Sequence, residues 1–410
     1  MTGGYRGRHH GPAGGASRLA VGGLLLAGAV AAASIAWAVT RSDSSPPPAA
    51  AAPSPPSPSP SPSPSPSSSA LRSVTIAAVG DTMLGHTPIL PPDPATYLDG
   101  VRGALRAPIV FGNLEGTLTD ASGSKCATPK PSPTRTPSLS PGHSPSPSLS
   151  PRRLCYAFRV PPSYASDLAK AGFTVLNNAN NHSYDFGAAG QQQTVDSLDA
   201  AHIAHTGLPG QITVVRAKRI RVAFVGFAPY GFTASLLDLS GARALIRAAD
   251  RRAGVVVVYM HAGAEGSGAV HVTGFEEHFA GEDRGNPRAF AHAAVDAGAD
   301  LVIASGPHVL RGMEFYRGRL IAYSLGNFAG YHNFSDGGDL SLSAILRVTL
   351  AKDGSFGGGR LVSLRLSPEG RPGPDPSHAA LELVASLSRA DFGRRAARFW
   401  PSGIIRRPGR

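Results

Sequence analysis

Asn177-Asn178-Ala179-Asn180-Asn181-His182-Ser183-Tyr184-Asp185-Phe186-Gly187 is the stretch on which the reading of this chain turns. It follows an apolar run, Phe173-Thr174-Val175-Leu176, that reads as a short buried strand. A helical pattern starts near Gly187. Four asparagines, a histidine and an aspartate therefore crowd the turn that leaves a strand. In an open α/β sheet, ligands bind in the crevice outside the carboxyl ends of the strands. Asn and His both ligate metals, and His also shuttles protons near neutral pH. Asn clusters equally favour turns for purely conformational reasons. Taken alone, the stretch leaves both readings open.

Moving outward, the same arrangement recurs. Residues 74–79 are apolar and lead into Gly80-Asp81; Ile109-Val110-Phe111 leads into Asn113 and Glu115. Residues 255–260 are so apolar that both faces of that strand must be covered, and they end in His261. Leu301-Val302-Ile303-Ala304 runs into Ser305-Gly306-Pro307-His308, and Leu320-Ile321-Ala322-Tyr323 into Asn327. Polar side chains at so many strand ends imply one site at one edge of a sheet. The mixed oxygen and nitrogen donors suit a divalent Mn, Zn or Fe ion better than Ca.

Helices are expected at 161–171 with Gly172 as the stop, at 191–201, at 240–252 capped by Ser240, and from Asn286-Pro287 onward. Hairpins are expected over 212–227, turning at Lys218-Arg219, and over 343–366, turning at Asp353-Gly354. Residues 266–284 form a long loop after a site strand, read either as a substrate cover or as a surface insertion.

The 410 residues carry a formal charge of +12, with 42% hydrophobic residues. A basic balance suits nucleic acid, an anionic membrane or an acidic polymer. No nucleic-acid motif is present, so no nucleic-acid partner is expected. Residues 1–18 form a basic leader. Residues 19–39 hold no charge and are long enough to span a bilayer. They read as a single-pass signal anchor with the following domain extracytoplasmic, or as a cleaved signal ending near Ala36-Trp37-Ala38, which makes the protein secreted. Residues 42–70 form a Pro/Ser-rich, disordered, polyproline-type spacer. The main domain spans 72–370, with a disordered Pro/Ser insertion at about 127–152 and an Arg-rich, solvated tail over 371–410. Cys126 and Cys155 bracket the insertion and pair in an oxidising compartment.

A family resemblance rests on specific motifs. They are Gly80-Asp81-Thr82-Met83, Asn113-Leu114-Glu115, Ala179-Asn180-Asn181-His182 with Asp185 and Gly187, His261 with Glu265, Gly306-Pro307-His308-Val309 and Ser324-Leu325-Gly326-Asn327-Phe328. In this order, over about residues 74–335, they resemble the CapA family of capsule, or poly-γ-glutamate, synthesis proteins. That family is similar in fold to the calcineurin-like metallophosphoesterases. The resemblance implies an α/β fold of that type, a β-sandwich flanked by helices with its site at the strand ends. It implies Asp81, Asn181, His261 and His308 as metal ligands, with Glu115 as the nearest further carboxylate. It implies His182 as the catalytic acid or phosphate contact, and Asn113, Asp185, Glu265 and Asn327 as substrate contacts or supports. The phosphoesterase pattern has His where Met83 stands, and relatives carry His where Ser305 stands. One or two divalent ions are therefore expected. The function implied is metal-dependent phosphoesterase-type chemistry in envelope polymer synthesis, with a non-catalytic module that binds or guides an anionic polymer as the alternative.

Overall fold

Residues 72–127, 155–334 and 337–409 are described in the computed structural model. The chain divides into two units, Met1–Pro66 and Ser67–Arg410, and these residues all belong to the second. The leader, the apolar run 19–39, the spacer and nearly all of the 127–152 insertion lie outside the described residues. Among the described residues no helix is long and apolar enough to cross a membrane. The longest have 14 residues, about 21 Å against a hydrocarbon core of about 30 Å. The single-pass membrane localisation read from the sequence is therefore corrected: the structure gives it no support.

The strands that build the site are, in chain order, β1 (Ser73–Met83), β2 (Ile109–Leu114), β3 (Val175–Asn177), β4 (Ala204–Thr206), β5 (Ile220–Phe227), β6 (Val255–His261), β7 (Leu301–Ser305), β8 (Arg319–Ala322), β9 (Asn327–Gly330), β10 (Leu342–Ala351) and β11 (Phe356–Leu366). One sheet runs β11-β10-β1-β2-β3-β4, with β9 pairing beside the end of β1. The other runs β8-β7-β6-β5 and is closed at its edges by the antiparallel strands Met313–Tyr316 and Thr213–Ala217. The runs β1 to β4 and β5 to β8 pair in parallel. Their carboxyl ends are thus shared within each sheet.

Side-chain alternation explains how the sheets stack. On β6, Val255, Val257 and Tyr259 enter the core between the sheets, while Val256, Val258 and Met260 enter the outer one. Both faces of this strand are covered, as its composition requires. Across the central core, Phe111 of β2 stacks on Phe224 of β5 with ring centroids 5.3 Å apart. Burying each such aromatic or aliphatic side chain contributes about 1.5–3 kcal/mol.

Helices close both outer faces, completing the expected sandwich flanked by helices. Residues of α1 (Asp99–Leu105), α2 (Tyr164–Ala171) and α3 (Gly187–Ala200) cover the first sheet. Those of α4 (Leu239–Asp250) and α5 (Pro287–Asp296) cover the second. Gly172 ends α2 at φ 106°, a conformation open to glycine. Asn286 caps α5 through its side chain. The cap of α4 is Asp238, whose Oδ1 accepts from the Gly241 N–H at 2.9 Å, rather than Ser240. α3 starts at Gly187, where the helical pattern after the asparagine stretch begins, and takes in most of the expected 191–201 segment.

The segment 371–410 is not the solvated tail expected. It supplies α6 (Ala379–Phe392), whose Ala380, Leu381 and Val384 join the central core. It also supplies strands Arg398–Phe399 and Ile404–Arg406, the second of which pairs with β11.

Candidate metal centre

Asp81 lies two residues before the end of β1, Glu115 follows β2 and His261 ends β6. One donor atom from each lies within 4.8 Å of the others, and all three side chains are fully buried. Sheet geometry brings them together. β1 and β2 pair in parallel with Asp81 opposite Asn113, and the two sheets meet where β1 approaches β7.

Their surroundings are polar but incomplete. Asp81 Oδ1 accepts from Asn113 Nδ2 at 2.8 Å and from the Ser305 hydroxyl. Asp81 Oδ2 lies 3.2 Å from His308 Nδ1 without a hydrogen bond. Both Glu115 carboxylate oxygens and both His261 ring nitrogens have no hydrogen-bond partner. Buried polar atoms are nearly always satisfied, because leaving one unpaired costs roughly 1–3 kcal/mol. So many in one place leave several donor atoms free to take a metal ion. Carboxylate and imidazole donors fit a divalent transition ion.

Charge reinforces this. Burial, with the Asp81 carboxylate beside it, pushes the Glu115 carboxyl well above the usual carboxylate range. Burial, followed by Arg284, pushes the His261 imidazole well below its ordinary value. Burial would raise Asp81 too, but His308, His261 and Ser305 outweigh it and hold it low. His308 is driven the other way: burial opposes its charge, yet Glu115 and Asp81 raise it to about 10.

His308 stands at φ 60°, left-handed for a residue with a Cβ, directly after Gly306-Pro307. Such strain concentrates at functional positions. Its Nδ1 bonds Asn327 Oδ1 at 2.9 Å, and its Nε2 lies 3.7 Å from both Glu115 Oε1 and Glu265 Oε2.

The organising asparagine stretch splits into braces and donors. Asn180 Nδ2 donates to Asn113 Oδ1 at 3.0 Å and to the Leu114 carbonyl at 2.8 Å, while its Oδ1 accepts from the His182 N–H. Asn177 also donates to Asn113 Oδ1, at 2.7 Å. Asn113 is thus held by its neighbours in a bracing role. Asn181 Oδ1 is buried with no partner, the state of an unused donor.

His182 Nδ1 bonds Asp185 Oδ2 at 2.8 Å. That carboxylate also accepts the Phe158 N–H at 2.7 Å and meets Lys125 Nζ at 2.6 Å. Burial pulls the His182 pKa below its ordinary value, against Asp185. The pocket above the cluster, about 310 Å³, is lined by His182, His308, Glu115, Glu265 and Asn327.

Several contributors escape sequence reasoning. Arg284, 1% exposed, bonds Glu265 Oε1 at 2.5 Å and the Tyr230 hydroxyl at 2.6 Å. Ser305 couples Asp81 to the Tyr259 hydroxyl. Tyr156, Phe158, Phe279 and Phe334 form an aromatic rim around the mouth.

The disulfide Cys126–Cys155 is present as expected, with Cα atoms 5.6 Å apart. It joins the segment carrying Lys125 to the one carrying Tyr156 and Phe158. Replacing both cysteines by serine should cost roughly 3–4 kcal/mol of stability on the loop-entropy account. Chemical denaturation of oxidised and variant protein checks this; equal midpoints contradict it.

Residues 75–332 match the family described as bacterial capsule synthesis protein PGA_cap. This is more than half of the chain, and the chain belongs to that family. The capsule biosynthesis protein CapA of Bacillus anthracis is 33% identical over 182 residues, covering 39% of this chain and 40% of that protein. The PGA biosynthesis protein CapA of Bacillus subtilis (strain 168) is 30% identical over 209 residues, covering 46% and 50%. The matches thus span half or less of these curated relatives. Among solved structures, a 5'-nucleotidase precursor from Thermus thermophilus aligns at 12% identity with a TM-score of 0.37, covering 78% of this chain and 59% of that one.

Proposed function

We propose that the protein is a metal-dependent hydrolase or transferase of phosphoesterase type, acting outside the cytoplasm in capsule or poly-γ-glutamate synthesis. The observation that carries the proposal is the buried, unpartnered cluster of Asp81, Glu115 and His261. Membership of a capsule-synthesis family supports the setting. The disulfide supports an oxidising compartment.

Asp81, Glu115 and His261 would hold the ion, with His308 and Asn181 as further donors. A divalent Mn, Zn or Fe ion supplies Lewis acidity and charge neutralisation there. One ion fits better than two. Met83 stands where the phosphoesterase pattern has a His donor and Ser305 where relatives carry one, and Ser305 is engaged with Asp81. Asp185 fixes His182 through Nδ1, which leaves Nε2 to exchange a proton or hydrogen bond with the substrate. The aromatic rim gives the pocket mouth an apolar margin.

His182→Ala is expected to lower turnover by about 10²–10⁴ while the metal stays bound. Metal content and turnover of a generic phosphodiester, measured on the same full-length samples, check this. Loss of metal along with activity makes His182 a ligand instead. The proposal as a whole is tested by elemental analysis of the purified chain with a phosphoester screen. About one equivalent of metal and metal-dependent turnover support it. Folded protein with neither rejects it.

A further inference from the structure

At the opposite pole from the metal cluster, the amino end of β5 and the residues before β1 and β6 frame a second cleft. It measures about 270 Å³ and is lined by Arg72, Arg216, Arg219, Arg221 and Lys352, together with Ile220 and Gly254. From Val255 to His261, β6 spans about 20 Å at ~3.3 Å per residue, so this cleft is separate from the candidate catalytic pocket. Among the described residues, none of these five cations has an acidic partner within ion-pair distance; nearby Arg319 is taken by Asp300 at 3.0 Å.

The chain maintains this charge against its own stability. Arg216 and Arg221 sit directly opposite each other on the antiparallel hairpin. Like charges in that position repel. The hairpin turns on Lys218 at φ 48° and Arg219 at φ 65°, where Asn-Gly is the favoured pair and both side chains carry a steric penalty. Two departures from hairpin chemistry, both adding positive charge beside one cleft, are expected of a binding surface rather than of a folding device.

We propose that this cleft docks a linear polyanion, a chain of repeated carboxylate or phosphate groups, while chemistry proceeds at the other pole. The catalytic pocket offers few cations along a chain, because its lining includes Glu115 and Glu265 and no Lys or Arg, which leaves His308 and the proposed ion to meet a single anionic group. A flat anionic bilayer fits the cleft less well. The cleft is concave, and its lining offers no exposed apolar anchor of the kind interfacial binding uses; Ile220 is buried. The inference rests on the polymer-synthesis part of the function proposed above and not on its metal chemistry.

The test uses the full chain with soluble poly-γ-glutamate, polyphosphate, and phosphatidylglycerol vesicles as separate probes, at low and moderate salt. In Arg216→Glu with Lys352→Glu, the new carboxylate on the hairpin faces Arg221, so the fold is retained. A control of equal charge change, Arg243→Glu with Arg247→Glu, alters exposed arginines of α4 that do not line this cleft. Polyanion affinity is expected to fall at least tenfold in the cleft variant and less than threefold in the control. Salt should weaken wild-type binding, and metal content should stay unchanged in both variants. Arg216→Glu alone should raise the melting temperature as it weakens binding. Equal losses in both variants, no loss in the cleft variant, or binding to vesicles without binding to either polymer overturns the proposal. Loss of metal or phosphoester turnover in wild type bears on the catalytic reading and leaves this one standing.

Discussion

Protein carrying Asp81→Asn should bind its divalent ion more than 100-fold more weakly than the parent and lose turnover to the same degree. Removing a partner behind a ligand already costs 10–100-fold in metal affinity, and Asp81 would be a direct ligand carrying charge. The asparagine keeps the shape of the side chain and an oxygen for the Asn113 Nδ2 contact, so the loss reports on charge rather than collapse. Glu115→Gln should behave alike, because both Glu115 oxygens lack partners and are available to the ion. Stability moves in the opposite direction. In metal-free protein, burial and the Asp81 carboxylate beside it make Glu115 costly to ionise. Replacing Glu115 by a neutral side chain removes that cost, as at many functional sites that trade stability for activity. Metal-free Glu115→Gln should therefore melt at or above the temperature of metal-free parent, by on the order of 2 °C per kcal/mol relieved. Titration of apoprotein with Mn or Zn, followed by calorimetry, measures both effects. Parent-like metal affinity in Asp81→Asn removes the proposed centre. A large drop in the melting temperature of metal-free Glu115→Gln means that the carboxylate is structural.

The fold was legible wherever burial leaves a periodic mark. The apolar run that became β6 demanded cover on both faces, and alternate residues enter two different cores. The hairpin turns at Lys218-Arg219 and Asp353-Gly354 were readable because they interrupt alternating strands. Segment 371–410 was misjudged because its arginines dominate the composition. The helical spacing of Leu381, Val384 and Leu387 was there to find, and all three are buried. Asp238 and Ser240 are both capping types near the start of α4, and only the backbone geometry selects Asp238 as the cap, with Ser240 inside the first turn.

The site was legible as a set of strand ends, since polar residues there have little reason to follow buried apolar runs. Its internal division of labour was not. Asn180 and Asn181 are adjacent and chemically identical, yet one braces Asn113 and the other leaves its oxygen unpaired. That difference lies in the turn and not in residue type. Arg284 arrives from an irregular loop with no period, so nothing in sequence placed it behind Glu265. Tyr156 and Phe158 follow the insertion, where the disulfide and not a strand pattern fixes their position.

Gly80 explains why Asp81 lies where it does, and its replacement has the largest expected effect on folding. A Cβ on Gly80 would stand 1.8 Å from the carbonyl oxygen of Gly326 and 2.9 Å from the carbonyl carbon of Leu325. These are backbone atoms, so no rotamer change relieves the overlap. The same Gly326 carbonyl accepts the Asp81 N–H at 2.9 Å, just before Asp81 pairs with Asn327 of β9. Gly326 itself sits at φ 61°, with Leu310 N and the Val309 carbonyl carbon each 3.2 Å from where its own Cβ would be. The approach of β1 to the start of β9 is therefore tight from both sides. Gly80→Ala must push the strands apart, at a cost of about 3 kcal/mol or more. It should also move Asp81 away from Ser305 and Asn327, and metal affinity should fall with stability. Gly103→Ala is the matched control. Gly103 is exposed within α1, and nothing stands within 4 Å of its Cβ position. That exchange should be neutral or stabilise by about 0.5–1 kcal/mol through helix propensity. Denaturant titration of both variants, with metal content measured on the folded fraction, separates local crowding from a general intolerance of added methyl groups. Parent-like stability and metal content in Gly80→Ala would show that the strands can part at this point, and that Asp81 is held by its side-chain contacts alone.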